Sequence, residues 1–142
     1  MTKHDDASWH YGGDFPTDLP DEAGATHIGM FVAWALLSGL ASEFFQEELA
    51  AELAELRAGS TTPGAFLMAA CDGKFTDDAL SDEGNAFAAA YFSSDRGGYL
   101  DDYIGLVGGD HDSLYHVPDT WTTFAMLKPD LDRRLAAWRA QR

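Results

Sequence analysis

The 142-residue sequence predicts an all-α protein: a single compact domain of six or seven helices, in which residues 1–23 form an irregular N-terminal arm and residues 24–142 the helical unit. Three observations carry that prediction. Apolar residues recur at helical spacing through most of the chain, capping residues and glycines bracket those stretches, and TWTTFAML at 120–127 alone has the Thr-rich alternation of a strand. At this length roughly 68–70% of the unfolded surface can be buried, enough for a self-sufficient core. An apolar share of 46% with 23% charged residues is ordinary globular usage.

The elements follow in order. In SWHYGGDFPTDLP, residues 8–20, Pro16 and Pro20 disfavour helix and Gly12 and Gly13 permit a tight turn, while Trp9, Tyr11, Phe15 and Leu19 are too apolar for a free tail. An arm laid over the core is expected, its outer side kept wet by Asp14, Asp18, Asp21 and Glu22. GATHIGMFVAWALLSGL places Ile28, Phe31, Val32, Leu36 and Leu40 near helical spacing with apolar residues around most of the circumference, as in a central helix. Ser38-Gly39 can stop it, and Ser42 can cap the next helix.

From Glu43 to Ala58 a continuous helix is expected, with Phe45, Leu49, Leu53 and Leu56 on one stripe and Gly59 at its end. Thr62 as N-cap, Pro63 at the first position and Gly73 beyond the end define a shorter one. Ser81 caps a helix whose Asp82 and Glu83 face the positive end of the dipole, with Phe87, Tyr91 and Phe92 inward. Tyr99/Leu100, Tyr103/Ile104 and Val107 recur at four-residue intervals between glycines. Residues 120–127 suit a strand or, with Asp119 as cap, a helix, and Pro129 begins a final basic helix with Leu131, Leu135 and Trp138 on its inner face.

The net charge is −15 and unevenly placed. Residues 1–127 hold 4 Lys/Arg against 22 Asp/Glu, or −18, whereas residues 128–142 hold 5 against 2, or +3. Such a field repels phosphate backbones and anionic lipid heads, so nucleic acid and membrane are not expected partners and a basic protein is. The longest apolar stretch, Ile28 to Leu40, is interrupted by Gly29, Ser38 and Gly39 and falls short of the ~20 residues that span a bilayer. MTKHDDASWHYGG lacks the basic and apolar regions of a secretory signal, and the single cysteine, Cys71, suits a reducing compartment. A cytoplasmic location is expected.

The acidic rows are the most informative feature. Glu48, Glu52 and Glu55 sit at i, i+4 and i+7, Glu43 and Glu47 form another such pair, and no Lys or Arg lies three or four residues from any of them. Like charges so placed oppose a helix by ~0.2–0.5 kcal/mol per pair, which a cationic partner would relieve. The bland alternative is a solvated face. The candidate partner-binding residues are therefore Glu47, Glu48, Glu52 and Glu55, with Asp101, Asp102, Asp110 and Asp112 as a second set.

No GxSxG elbow, P-loop, GxGxxG, HExxH or EF-hand spacing occurs, so no catalytic residue, cofactor or resident metal is expected. GGDHDS at 108–113 reads as a turn. The alternative from another class is a small metal-dependent enzyme using Asp110, His111 and Asp112 with His27 or His116. Cys71, the only candidate thiol nucleophile for His4, His10, His27, His111 or His116, sits among Met68, Ala69 and Ala70, where it packs as a small hydrophobe. Nothing local lowers its pKa. His27, at the entrance of the apolar helix, is expected to make a buried hydrogen bond to backbone or a nearby acid. Tyr99, Tyr103 and Trp121 serve either as core or as interface anchors.

The run DDASWHYGGDFPTDLP into DEAGATHIGMFVAWAL, about residues 5–40, resembles a family of small bacterial proteins of uncharacterised domain type, associated with immunity proteins encoded beside secreted antibacterial toxins. Trp9-His10, Phe15-Pro16, Leu19-Pro20 and Ala25-Thr26-His27-Ile28-Gly29-Met30 carry the likeness. It implies a role and no site residues. The expected function is that of an immunity protein neutralising a cognate toxin domain by occlusion, acidic side chains matching a basic face and aromatics fixing the register. An adaptor or chaperone for a secreted effector is the other binding-class reading.

Overall fold

The computed structural model describes residues 3–11, 15–94, 96–109 and 111–141. A strand β1 (Lys3–Asp6) leads into α1 (Ala7–Tyr11), and after an irregular stretch a 3-10 turn at Asp21–Ala25 opens onto α2 (Thr26–Leu37). Next come α3 (Glu43–Glu48), α4 (Ala50–Ala58), α5 (Pro63–Cys71) and β2 (Lys74–Thr76). Then α6 (Asp82–Phe87) runs on as a π turn at Ala88–Phe92, α7 (Tyr99–Tyr103) as another at Ile104–Gly108, and α8 (Trp121–Ala140) closes the chain. With 69% of the residues helical and only a two-stranded ribbon beside them, the all-α expectation holds.

Apolar residues on every side of α2 decide the architecture, because such a helix must be surrounded. All residues from Thr26 to Leu36 are buried. α5 crosses it at Gly29, where a Cβ would stand 2.5 Å from the Pro63 carbonyl oxygen. On another side Phe31 meets the rings of Trp34, Phe75, Phe92 and Tyr99 with centroids 4.9–5.8 Å apart. α8 covers a third side, tied by Trp34 Nε1 donating to Asp132 Oδ1 at 2.9 Å. Among the described residues no helix is long and apolar enough to cross a membrane.

The predicted caps are in place. Ser42, Thr62 and Ser81 each accept from the backbone N–H three residues on, Pro63 opens α5, and Gly59 ends α4 at φ +75°. Other expectations need correction. The arm packs on the core, but its start is regular: KHDD has no apolar alternation of its own, and it becomes a strand only because β2 lies antiparallel to it. Asp6 then accepts from Ser8 N–H at 2.9 Å and starts α1. The turn expected at Gly12 and Gly13, with Asp14, lies outside the described residues.

The helix expected across Glu43–Ala58 is broken at Leu49, whose φ of −116° and ψ of 32° leave the helical region. The break parts Glu48 from Glu52, the like-charged neighbours that a continuous helix would stack. Residues 120–127 are helical, and Pro129 lies inside α8 instead of beginning it. Its missing N–H weakens one turn, while Phe124 and Leu127 before it and Leu131 and Leu135 after it are buried on one stripe. Asp119 does not cap this helix; Thr120 does, accepting from Thr123 N–H at 3.2 Å. Eight α-helices among the described residues thus replace the six or seven expected: α1 is added, α3 and α4 divide one, and 120–127 joins the last.

Candidate functional site

Two regions carry chemistry beyond packing. The first is acidic. Glu43, Glu47, Glu48 and Glu55 are exposed and Glu52 is half-buried, and none of the five forms an ion pair among the described residues. Phe44, between them on α3, is 54% exposed. Phe44 thus stands exposed beside Glu43 and one helical turn from Glu47 and Glu48.

The second acidic set does not form a comparable surface. Asp102 is occupied internally: Arg134 Nε and Nη2 donate to its two oxygens at 2.8 Å each, and Tyr91 Oη adds a bond of 2.5 Å. Burial opposes its ionisation, but these donors outweigh it and hold the carboxyl below its ordinary range. Asp102 is thus a structural anchor and not a free partner-binding group, because the basic α8 folds back onto the acidic body. Asp101 accepts from Gly97 N–H at 2.6 Å, Asp112 is exposed, and Asp110 lies outside the described residues. The elements differ too: α3 and α4 pack on the turn at Asp77–Ala79 and on α5, whereas α7 packs on the π turns at 88–92 and 104–108.

The other region is buried. β1 brings Asp5, α1 brings His10, and the first turn of α2 brings His27 to one place. His10 Nε2 donates to Asp5 Oδ1 at 2.9 Å, and the Tyr115 hydroxyl stands 2.8 Å from His10 Nδ1. The His10 and His27 rings meet edge-on, centroids 4.5 Å apart, and His27 Nε2 is 3.8 Å from Asp5 Oδ2. One ligand-type atom from each of the three lies within 4.8 Å of the others.

His27 is only 1% exposed, as the sequence leads one to expect, but the expected side-chain bond is absent. Neither ring nitrogen has a hydrogen-bond partner among the described residues. Its main-chain carbonyl is the atom that is engaged, accepting from Tyr99 Oη at 2.5 Å. Burial, reinforced by His10 and resisted by Asp5, pushes the His27 pKa down to about 3, which keeps the ring neutral. The cluster opens to solvent on one side, where the His10 and Asp5 side chains are 17% and 12% exposed. Beyond Tyr115 lies a cleft of about 300 Å³ lined also by Leu19, Pro20, Thr26, His116 and Asp119.

Asp5 was not legible as a site residue, since it stands five positions from His10 and no ligand spacing links either to His27. Only the strand-to-helix turn at Asp6-Ala7 and the docking of the arm bring them together. Among the described residues, the loop that suggested an enzyme shows no such convergence: His111 and Asp112 are exposed, and His116 is taken by Asp18 at 3.0 Å and Ser113 at 2.8 Å. Cys71 packs against the core, and burial, with the Asp78 charge, pushes its thiol up to about 12. Tyr99 and Tyr103 are core residues, and Trp121, partly buried, donates to the Thr61 carbonyl at 2.9 Å.

A family model for a domain of unknown function, DUF7832, matches residues 3–117. The chain belongs to the DUF7832 family. The matched region contains Asp5, His10, His27, Tyr115 and the carboxylates of α3 and α4. It stops before α8, so the arginines that fasten onto Asp102 and Glu83 stand outside the DUF7832 match. No protein of curated function and no solved structure matches the chain.

Proposed function

We propose that this DUF7832 protein is a binding protein of the immunity class, without catalytic activity, which neutralises a cognate toxin domain by covering a basic face with its α3–α4 surface. The observation that carries the reading is Phe44, 54% exposed beside Glu43, Glu47 and Glu48, whose carboxylates form no ion pair among the described residues. A desolvated aromatic supplies binding energy at the centre of an interface, and charges around it steer the approach and reject wrong partners. The resemblance of residues 5–40 to a small bacterial family associated with immunity proteins suggests the class of partner. The internal pairing of Asp102 sets that carboxylate aside, and the proposed contact surface is Glu43, Phe44, Glu47, Glu48, Glu52 and Glu55.

The test uses the toxin domain that this reading expects to be encoded beside the gene. Glu47→Lys with Glu48→Lys should abolish protection of cells expressing the toxin while leaving the far-ultraviolet circular dichroism unchanged. The association rate of the wild-type pair should fall by an order of magnitude or more as salt rises from tens of millimolar to several hundred. A rate indifferent to salt, or full protection by the reversed variant, would refute the acidic surface.

A further inference from the structure

We propose that Asp5, His10 and His27 form a site for one divalent transition-metal ion of the zinc type, which clasps the N-terminal arm onto α2. The site is independent of the acidic face. Two imidazoles and one carboxylate are the donor set of borderline ions such as Zn²⁺, and too poor in oxygen for Ca²⁺ or Mg²⁺.

Geometry supports the assignment. At Zn–N and Zn–O distances of about 2.0–2.2 Å, tetrahedral ligands stand roughly 3.3–3.6 Å apart. Here Asp5 Oδ1 and His10 Nε2 are 2.9 Å apart, Asp5 Oδ2 and His27 Nε2 are 3.8 Å apart, and the set lies within 4.8 Å. Bonding distance for all three would require rotation of the Asp5 and His10 side chains, which are 12% and 17% exposed, toward His27 in the core. The supporting shell is present: Tyr115 holds His10 Nδ1 at 2.8 Å, and Asp5 Oδ1 accepts from Asp6 N–H at 2.8 Å. Such partners set ring orientation and tautomer at metal centres.

The second observation is His27 itself. A fully buried imidazole with both nitrogens unpartnered leaves at least one polar atom desolvated without compensation. A metal bond from Nε2 satisfies one of the two ring nitrogens, the Nδ1 proton having no acceptor among the described residues. Three protein ligands leave a fourth position for a solvent molecule on the exposed Asp5/His10 side, which is also the route of entry.

The experiment titrates the full chain, stripped with chelator, with Co²⁺ and Zn²⁺. Visible absorption reports Co²⁺ coordination, and elemental analysis gives the stoichiometry. One equivalent should bind, with tetrahedral Co²⁺ bands, and Zn²⁺ should raise the thermal midpoint. Asp5→Asn and His10→Ala, both at partly exposed positions, should lower affinity at least ~100-fold while keeping the circular dichroism of the metal-free wild type. Tyr115→Phe should lower it ~10-fold or more, and His111→Ala with His116→Ala should change nothing. Because His27→Ala removes a core side chain, it serves only as a supplementary variant. No uptake by the folded wild type, or wild-type affinity in both Asp5→Asn and His10→Ala, would overturn the site.

Discussion

Arg134 of α8 grips Asp102 of α7 through two parallel hydrogen bonds, Nε to Oδ2 and Nη2 to Oδ1, each 2.8 Å long. The pair joins the two ends of the charge distribution, since it sets the basic tail against the acidic body. Fork-to-fork pairing of this kind is among the stronger charged contacts. It consumes one of the carboxylates that the sequence alone offers to a partner.

That contact gives stability a defined pH dependence. Asp102 is held below its ordinary pKa in the folded chain, so it binds fewer protons than when unfolded. The contribution is complete above the unfolded value of about 3.9 and is lost as pH falls through the lower folded value. Asp102→Asn should cost about 1–3 kcal/mol at pH 7. Urea midpoints of the two proteins should keep their separation from pH 7 down to about pH 4 and draw together only below it. Parallel curves would show that the pair contributes nothing specific.

Asp119 should matter to a helix to which it does not belong. It accepts from the N–H groups of Gly64 at 2.8 Å and Ala65 at 3.2 Å and from the Thr62 hydroxyl at 2.5 Å, capping α5 from the far side of the chain. Asp119→Ala should destabilise by about 1–2 kcal/mol. Because Thr62 shares the Ala65 N–H with Asp119 and donates its own hydroxyl to that carboxylate, the Thr62→Ala, Asp119→Ala double variant should depart from the sum of the singles, measurable by denaturant unfolding.

Gly29→Ala tests the contact between α2 and α5. The new methyl would meet the Pro63 carbonyl oxygen at 2.5 Å and Gly64 Cα at 2.8 Å, both backbone atoms that no rotamer change can move. A loss of about 1–3 kcal/mol is expected, despite alanine's higher helix propensity, and a thermal midpoint equal to wild type would contradict the close packing.

Phe44→Ala separates binding from folding. The ring is more than half exposed, so stability should change by no more than about 0.5 kcal/mol. Complex formation with the toxin domain should weaken by about 1 kcal/mol or more, read by calorimetry. Equal affinity would remove Phe44 from the interface.

Cys71 should be inert in the folded state. With its thiol pushed up to about 12, first by burial and then by the Asp78 charge, it carries almost no thiolate at pH 8. Alkylation by iodoacetamide, followed by mass spectrometry, should be slow in buffer and fast in denaturant.

Local rules made much of the fold readable before any coordinates. Caps at Ser42, Thr62 and Ser81 and the stops at Gly39 and Gly59 depend on backbone geometry within a few residues, and they stand where the sequence places them. The burial of α2 was equally legible, since no surface helix is apolar on every side. Leu49, Pro129 and β1 were not, because each is decided by what packs against it. The acidic face was visible as a pattern, but which carboxylates are paired depends on α8, whose arginines take Asp102 and Glu83, while those of α3 and α4 form no ion pair among the described residues.

Composition and periodicity by themselves determined an acidic, all-helical chain with a buried central helix, because charge counts and side-chain spacing are properties of the chain before it folds. Tertiary structure alone decided the meeting of Asp5, His10 and His27. The three lie in different elements, and side chains that share no spacing can converge only when a strand, a helix and a core are packed together.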